Sequence, residues 1–225
     1  MPTAADKRQD LTRQAVSAFQ SGDSATADRL FRKLATDKRA DAQSFYNYGI
    51  FLRRSGRPAD AIYWLNRCLR NAPDRADARI ERGLALSDQG ELTSAVDDLA
   101  AFPRDPVALR ALANIQTGLG QWAEAKTSLS ILQSLEAWTE ADGLLMVRLL
   151  LETGQVDDAH TLCRSLRAAN PNLAPSLLKS LGRRSKGRLS LDETRLARLI
   201  GDDPAENPVN QHSAGTRRAP ARSLS

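Results

Sequence analysis

Cysteine and histidine are scarce in this sequence of 225 residues, and their scarcity excludes several kinds of site. Two cysteines are too few for a disulfide framework or for a structural zinc site. The two histidines form no His-Glu-x-x-His motif, and no glycine-rich motif for cradling phosphate is present. The sequence therefore predicts no metal site and no cofactor, and it favours a protein that is not an enzyme.

Long apolar runs are lacking as well. No segment approaches the ~20 consecutive apolar residues that a membrane-spanning helix needs. The first residues, MPTAADKRQD, are charged and lack the apolar core of a signal peptide. Together with the low cysteine count, these features predict a cytoplasmic protein. Only 13 Gly and 10 Pro occur, which favours helix over sheet.

Positive charge is concentrated at one end of the chain. Residues 183–225 contain nine Lys and Arg against five Asp and Glu, a net charge of +4, whereas residues 1–182 contain 23 against 22, a net charge of +1. The body of the protein is therefore nearly neutral. The basic segment contains no aromatic residue that could stack on a base.

Five glycines mark an internal repeat. They are separated by 34, 34, 30 and 34 residues and are Gly22, Gly56, Gly90, Gly120 and Gly154. An alanine lies five residues after each: Ala27, Ala61, Ala95, Ala125 and Ala159. A first apolar position follows four residues later, at Phe31, Leu65, Leu99, Leu129 and Cys163, and a second at Leu34, Cys68, Phe102, Leu132 and Leu166. Seven residues before the glycines lie Ala15, Gly49, Gly83, Ala113 and Val147. Such a period predicts a repeat architecture.

Residues 42–75 fit the repeat best and predict two amphipathic helices joined by a tight turn. Phe45 and Leu52 share one face of the first helix, and Ala61 and Leu65 share one face of the second. The small residues of each unit are expected where its two helices cross closely, and the bulky ones between successive hairpins. Because neither helix can bury its apolar stripe alone, the hairpin needs neighbours.

This pattern resembles the tetratricopeptide repeat family over residues 8–171. The resemblance implies an all-α, right-handed solenoid of five helix–turn–helix hairpins. Residues 172–201 contain two further short helical patterns and are predicted to form a degenerate sixth hairpin that caps the array. Residues 1–7 are predicted to be a flexible N-terminus, and residues 202–225 a disordered basic tail.

The repeat also predicts the helices themselves. They are expected at 8–20 and 24–36, 42–54 and 58–70, 76–88 and 92–102, 106–118 and 122–134, and 140–152 and 156–168. Residues 135–139 are expected either to extend the preceding helix or to form a turn. Asp97 and Asp98, like Asp157 and Asp158, are expected near the starts of second helices, where negative charge offsets the helix dipole.

The family resemblance also implies a binding surface, because family members bind partners on a concave groove lined by fixed positions of each first helix. When these family positions are transferred to this sequence, they give a strip of apolar residues with arginines along its edge. The predicted groove residues are Val16, Phe19, Tyr46, Ile50, Arg53, Arg54, Ile80, Leu84, Arg110, Asn114 and Arg148. Each apolar member has an alternative interpretation, in which it only packs between helices.

Other candidate chemistry is weak. Cys68 and Cys163 fall in core columns of the repeat, so buried packing is favoured over nucleophilic catalysis. His160 and His212 are expected to be solvated. Family members that bind a chaperone's C-terminal carboxylate use a Lys, Asn and Arg pattern, of which only Asn47 is matched here. The sequence therefore argues against a carboxylate clamp.

Three hypotheses for function follow. The first is a cytoplasmic, non-enzymatic scaffold or adaptor that binds a peptide or helix of a partner protein in the groove. The second is a protein that associates with nucleic acid or an anionic membrane through its basic tail. The third is an accessory array for an enzyme encoded separately, since residues 140–200 resemble repeats that precede bacterial sulfotransferase domains. No phosphosulfate-binding segment is present in this sequence.

Overall fold

The computed structural model describes residues 3–177 of the chain, and over this range it is all-helical. The ten α-helices with defined ends are α1 (Ala4–Gln20), α2 (Ser24–Thr36), α3 (Ala42–Arg54), α4 (Pro58–Asn71), α5 (Ala76–Gln89), α6 (Leu92–Leu99), α7 (Pro106–Gly118), α8 (Trp122–Ser134), α9 (Glu140–Glu152) and α10 (Val156–Ala169). They form the five helix–turn–helix hairpins that the sequence predicted. None of these helices is long and apolar enough to cross a membrane.

The chain divides into two compact units, one ending at Trp138 and the other beginning at Thr139. The first unit contains the four hairpins α1–α2, α3–α4, α5–α6 and α7–α8. The second contains the hairpin α9–α10 and a 3₁₀ turn over Pro171–Leu173. Residues 135 and 136 form a turn after α8, which ends at Ser134, and Glu136 adopts a φ of 55° there.

The repeated glycine ends the first helix of each hairpin. Gly90, for example, follows α5 with a φ of 90°, in the left-handed region that glycine adopts at little cost. The other four glycines of this column have φ values from 74° to 84°. A Cβ at Gly90 would touch nothing within 4 Å, so the glycine is required by backbone conformation and not by space.

The small residue in the middle of each first helix is required by close packing. A Cβ on Gly49 would lie 2.7 Å from Cγ of Leu65, and one on Gly83 would lie 2.7 Å from Cγ of Leu99. The five column alanines, from Ala27 to Ala159, are all fully buried. The prediction that the two helices of a hairpin cross closely at these positions is therefore confirmed.

The start of α1 differs from the prediction. The helix begins at Ala4, and Thr3 and Asp6 form a capping box in which each side chain binds the other residue's backbone N–H. Residues 4–7 are therefore helical, and α1 begins four residues before the predicted start at residue 8. The sequence signal was a Thr followed three residues later by an acid, which an apolar-periodicity argument overlooks.

The third hairpin is shortened at its second helix. α6 contains eight residues and ends at Leu99, before the predicted boundary at residue 102. Asp97 and Asp98 therefore lie at the end of α6, and the prediction that they offset a dipole at a helix start is wrong. Asp157 and Asp158 do lie in the first turn of α10, as predicted.

The second unit has its own small core. Cys163 and Leu166 of α10 pack with Val147 of α9, and Leu173 and Leu177 add to this cluster from beyond α10. Residues 174–177 are helical. The remainder of the predicted capping hairpin and the whole predicted tail at 202–225 lie outside the described residues.

Candidate protein-interaction groove

Four of the predicted groove residues surround one cavity between α1 and α3. Val16 and Phe19 of α1 and Ile50 and Arg54 of α3 line a recess of about 260 Å³. We call it the apolar recess. Val16 is 39% exposed, and Phe19 and Ile50 are half-buried. These side chains therefore present apolar surface that the fold leaves partly open to solvent.

The wall of the apolar recess is supported by aromatic packing. The ring of Phe19 meets that of Phe51 edge-on with 5.3 Å between centroids, and Phe31 packs on Phe51 at 5.4 Å. Phe51 and Phe31 are buried in the core of the first two hairpins. Because these rings are fixed by the core, the recess has a defined shape before any partner binds.

A second, polar cavity of about 450 Å³ lies between the N-terminal halves of the same two helices. Arg8, Gln9 and Gln43 are among the side chains that line it, and Asn47 borders both this cavity and the apolar recess. The sequence prediction missed Arg8, because it placed the start of the helix at this residue. Arg8 donates to the hydroxyl of Ser44 at 2.6 Å, which ties α1 to α3.

Arg53, a predicted groove residue, forms ion pairs within the fold. Its Nε donates to Oε2 of Glu81 at 2.8 Å, and its Nη1 lies 3.4 Å from Oδ2 of Asp88. The Arg53 and Glu81 side chains are only 19% and 15% exposed. Arg53 therefore joins α3 to α5, and its charge is paired within the fold.

Tyr46 is also engaged within the fold. The guanidinium of Arg75 lies 4.3 Å from the centre of its ring, and Arg75 in turn pairs with Asp77 at 2.8 Å. Burial, followed by the negative charges of Asp77 and Glu81, raises the pKa of Tyr46 to about 12. Arg75 precedes α5 and was not among the predicted residues, because nothing in its sequence position indicates that it folds back over α3.

The remaining predicted residues are spread over the molecule. Ile80 is buried at 8% exposure and packs in the core of the third and fourth hairpins, beside the half-buried Leu84. Ile80 thus follows the alternative interpretation, packing between helices. Nη2 of Arg110 donates to the carbonyl of Ala137 at 2.9 Å, and Asn114 donates to the carbonyl of Arg110 at 2.8 Å.

Two of the four predicted arginines remain exposed and without an ion-pair partner among residues 3–177. They are Arg54 in the first unit and Arg148 in the second. Arg54 borders the apolar recess, whereas its neighbour Arg53 is paired with two carboxylates. Arg54 is therefore the exposed, unpaired arginine that lies beside the apolar recess.

The two cysteines, which were considered as possible nucleophiles, are buried in the core. Burial raises the pKa of the Cys163 thiol to about 11 and also raises that of Cys68, so both thiols are protonated at neutral pH. Within the described part of the chain, no group of His, Cys, Asp and Glu side chains could hold a metal ion. His160 is half-buried on α10, and His212 lies outside the described residues.

Paired helices with a repeated glycine turn and an open groove define an α-solenoid of helical hairpins. Residues 12–76 match the family model described as tetratricopeptide repeat. This match confirms the resemblance to the tetratricopeptide repeat family that the sequence pattern indicated, and the five hairpins have the fold of that family. This fold is that of a scaffold for protein–protein interaction, and such proteins are generally not enzymes.

Solved structures agree with this assignment. PilW, described as a widely conserved type IV pilus biogenesis factor, is 25% identical and superposes with a TM-score of 0.69 over 77% of this chain and 82% of its own. A tetratricopeptide repeat protein from Parabacteroides merdae is 15% identical, with a TM-score of 0.67 over 87% and 74% of the two chains.

MamA from Desulfovibrio magneticus RS-1 is 17% identical, with a TM-score of 0.60 over 80% of this chain and 98% of its own. At these two lower identities the likeness concerns the fold. The sequence has no match among curated proteins.

Proposed function

We propose that this protein is a non-enzymatic adaptor that binds a peptide or helical segment of a partner protein in the groove between α1 and α3. The observation that carries the proposal is the apolar recess, in which Val16, Phe19 and Ile50 remain partly exposed beside Arg54. Burying such apolar surface gives affinity, roughly 25 cal/mol for each Å². An adjacent cation supplies orientation and selectivity.

Two observations support the proposal of a binding role. The recess has a rigid aromatic wall, so little conformational entropy is lost when a partner binds. PilW is described as a biogenesis factor for pili, which is compatible with a component of an assembly. We also propose a cytoplasmic location, which cell fractionation would test.

The proposal is tested by partner capture with matched variants. The double variant Val16→Ser/Ile50→Ser removes apolar surface from the recess and should lose partners that the wild-type protein captures from an extract of its source. The control Leu119→Ser removes a side chain of similar exposure, 48%, in the turn after α7. It should capture the same partners as wild type.

The folded state of each variant is checked by helical circular dichroism before capture is compared. If the folded double variant retains every partner, the α1–α3 groove is not the binding surface and the proposal fails. The tail hypothesis concerns residues outside the described range. A truncation before residue 202 that abolishes a salt-dependent affinity for DNA or anionic vesicles would favour it instead.

A further inference from the structure

We infer that the apolar recess recognises a short motif of one large apolar side chain with a carboxylate close to it in the partner's sequence. This inference rests on the proposed function and specifies its ligand. The partner is a protein segment carrying the motif, and the contact assigned to its carboxylate is the guanidinium of Arg54.

The size of the recess favours the insertion of a single apolar side chain of the partner, which we call the anchor. Its volume of about 260 Å³ suits one side chain of the size of Leu, Met or Phe and leaves no room for a folded element. Val16 and Phe19 come from one wall and Ile50 from the other, so an inserted side chain contacts apolar atoms on both sides. Anchors of this kind contribute most of the binding energy in many interfaces.

Charge complementarity favours an acidic residue next to the apolar anchor in the partner's sequence. Arg53 is neutralised by Glu81 and Asp88, but Arg54 is exposed and has no ion pair with any residue between 3 and 177. A single cation at the rim of an apolar recess attracts a carboxylate more strongly than a surface where charges are already paired. A basic flank on the partner would be repelled by the same group.

The geometry of α3 fixes the spacing within the motif. Ile50 and Arg54 are four residues apart on one helix, so their Cβ atoms are separated by about 5–6 Å. An extended partner covers this distance in about two residues. A helical partner covers it in about four residues. The acid is therefore expected at one of these spacings from the apolar anchor.

The probe for this inference is a random linear peptide library displayed on phage, selected on the immobilised full-length protein. Wild type should enrich peptides in which Asp or Glu stands near a Leu, Met or Phe. Arg54→Glu should reverse the charge preference and enrich Lys or Arg at the same spacing. The matched control is Arg70→Glu, because Arg70 is also exposed and unpaired among the described residues but lies on α4, away from the recess.

Selected peptides are then measured individually. Replacing their acid with Ser, or Arg54 with Ser, should weaken binding roughly two- to fivefold, as expected for an exposed ion pair, and the effect should fade with added salt. Enrichment of apolar peptides with no charge preference, or with a preference that Arg54→Glu leaves unchanged, overturns the inference while the proposed function stands. If the selection enriches no peptide at all, the inference is overturned. The capture experiment then decides the proposed function separately.

Discussion

Arg82 of α5 binds the buried carboxylate of Asp98 on α6 through two hydrogen bonds of 2.6 Å each, from Nε to Oδ2 and from Nη2 to Oδ1. The Asp98 side chain is only 6% exposed and also accepts from Arg79 at 3.1 Å. The remaining Arg82 nitrogen, Nη1, donates to Asn66 of α4 at 2.8 Å. This arrangement holds three helices together where α6 is shorter than its counterparts.

Replacing Arg82 is expected to lower the stability of the fold. Arg82→Met leaves the buried Asp98 carboxylate with only Arg79, and the free energy of unfolding should fall by about 3 kcal/mol. Urea unfolding followed by circular dichroism measures the change. The double variant Arg82→Met/Asp98→Leu removes both charges and should recover most of the loss. A single variant as stable as wild type would mean that the ion pair does not hold α5 to α6.

Close helix crossing is tested at glycine. A Cβ at Gly49 meets Leu65 at 2.7 Å, whereas one at Gly118 meets nothing within 4 Å, although both residues are helical. Gly49→Ala should therefore lower the free energy of unfolding by about 1–3 kcal/mol relative to Gly118→Ala. Thermal unfolding of the two variants side by side gives the comparison. Equal melting temperatures would contradict the assigned packing.

The raised pKa of Tyr46, about 12 against an ordinary value of 10.0, has a consequence at alkaline pH. The folded state holds the phenol proton more tightly than the unfolded state does. The stabilisation it provides is therefore complete below pH 10 and is lost as the pH rises towards 12. Stability of the Tyr46→Phe variant should decline less steeply between these values. Parallel pH profiles for the two proteins would show that Tyr46 is not buried beneath Arg75.

The two cysteines should resist alkylation in the native state. Burial raises the pKa of both thiols, and their side chains are inaccessible. Mass spectrometry after treatment with iodoacetamide at pH 8 should find neither modified, and both modified in urea. Rapid native modification of Cys163 would indicate that the hairpin α9–α10 opens readily.

The sequence determined most of the architecture because each feature of the repeat depends on residues within a single hairpin. A glycine with positive φ, a small residue at a close crossing and bulky residues in phase are each specified within one hairpin, so the helices could be placed to within a few residues. The early start of α1 and the end of α6 at Leu99, three residues before the predicted end, were not specified by the repeat. The start of α1 depends on a capping box at Thr3, and the buried Asp98 of α6 takes its partners, Arg79 and Arg82, from α5.

The site depended on tertiary structure to a larger degree. The family resemblance identified Val16, Phe19 and Ile50 as groove positions on first helices, with Arg54 just beyond them. It could not distinguish Arg53 from Arg54, because pairing depends on carboxylates that lie 28 and 35 residues further along the chain. Which apolar residues stay exposed, and which cation remains unpaired, were decided only when neighbouring hairpins packed together.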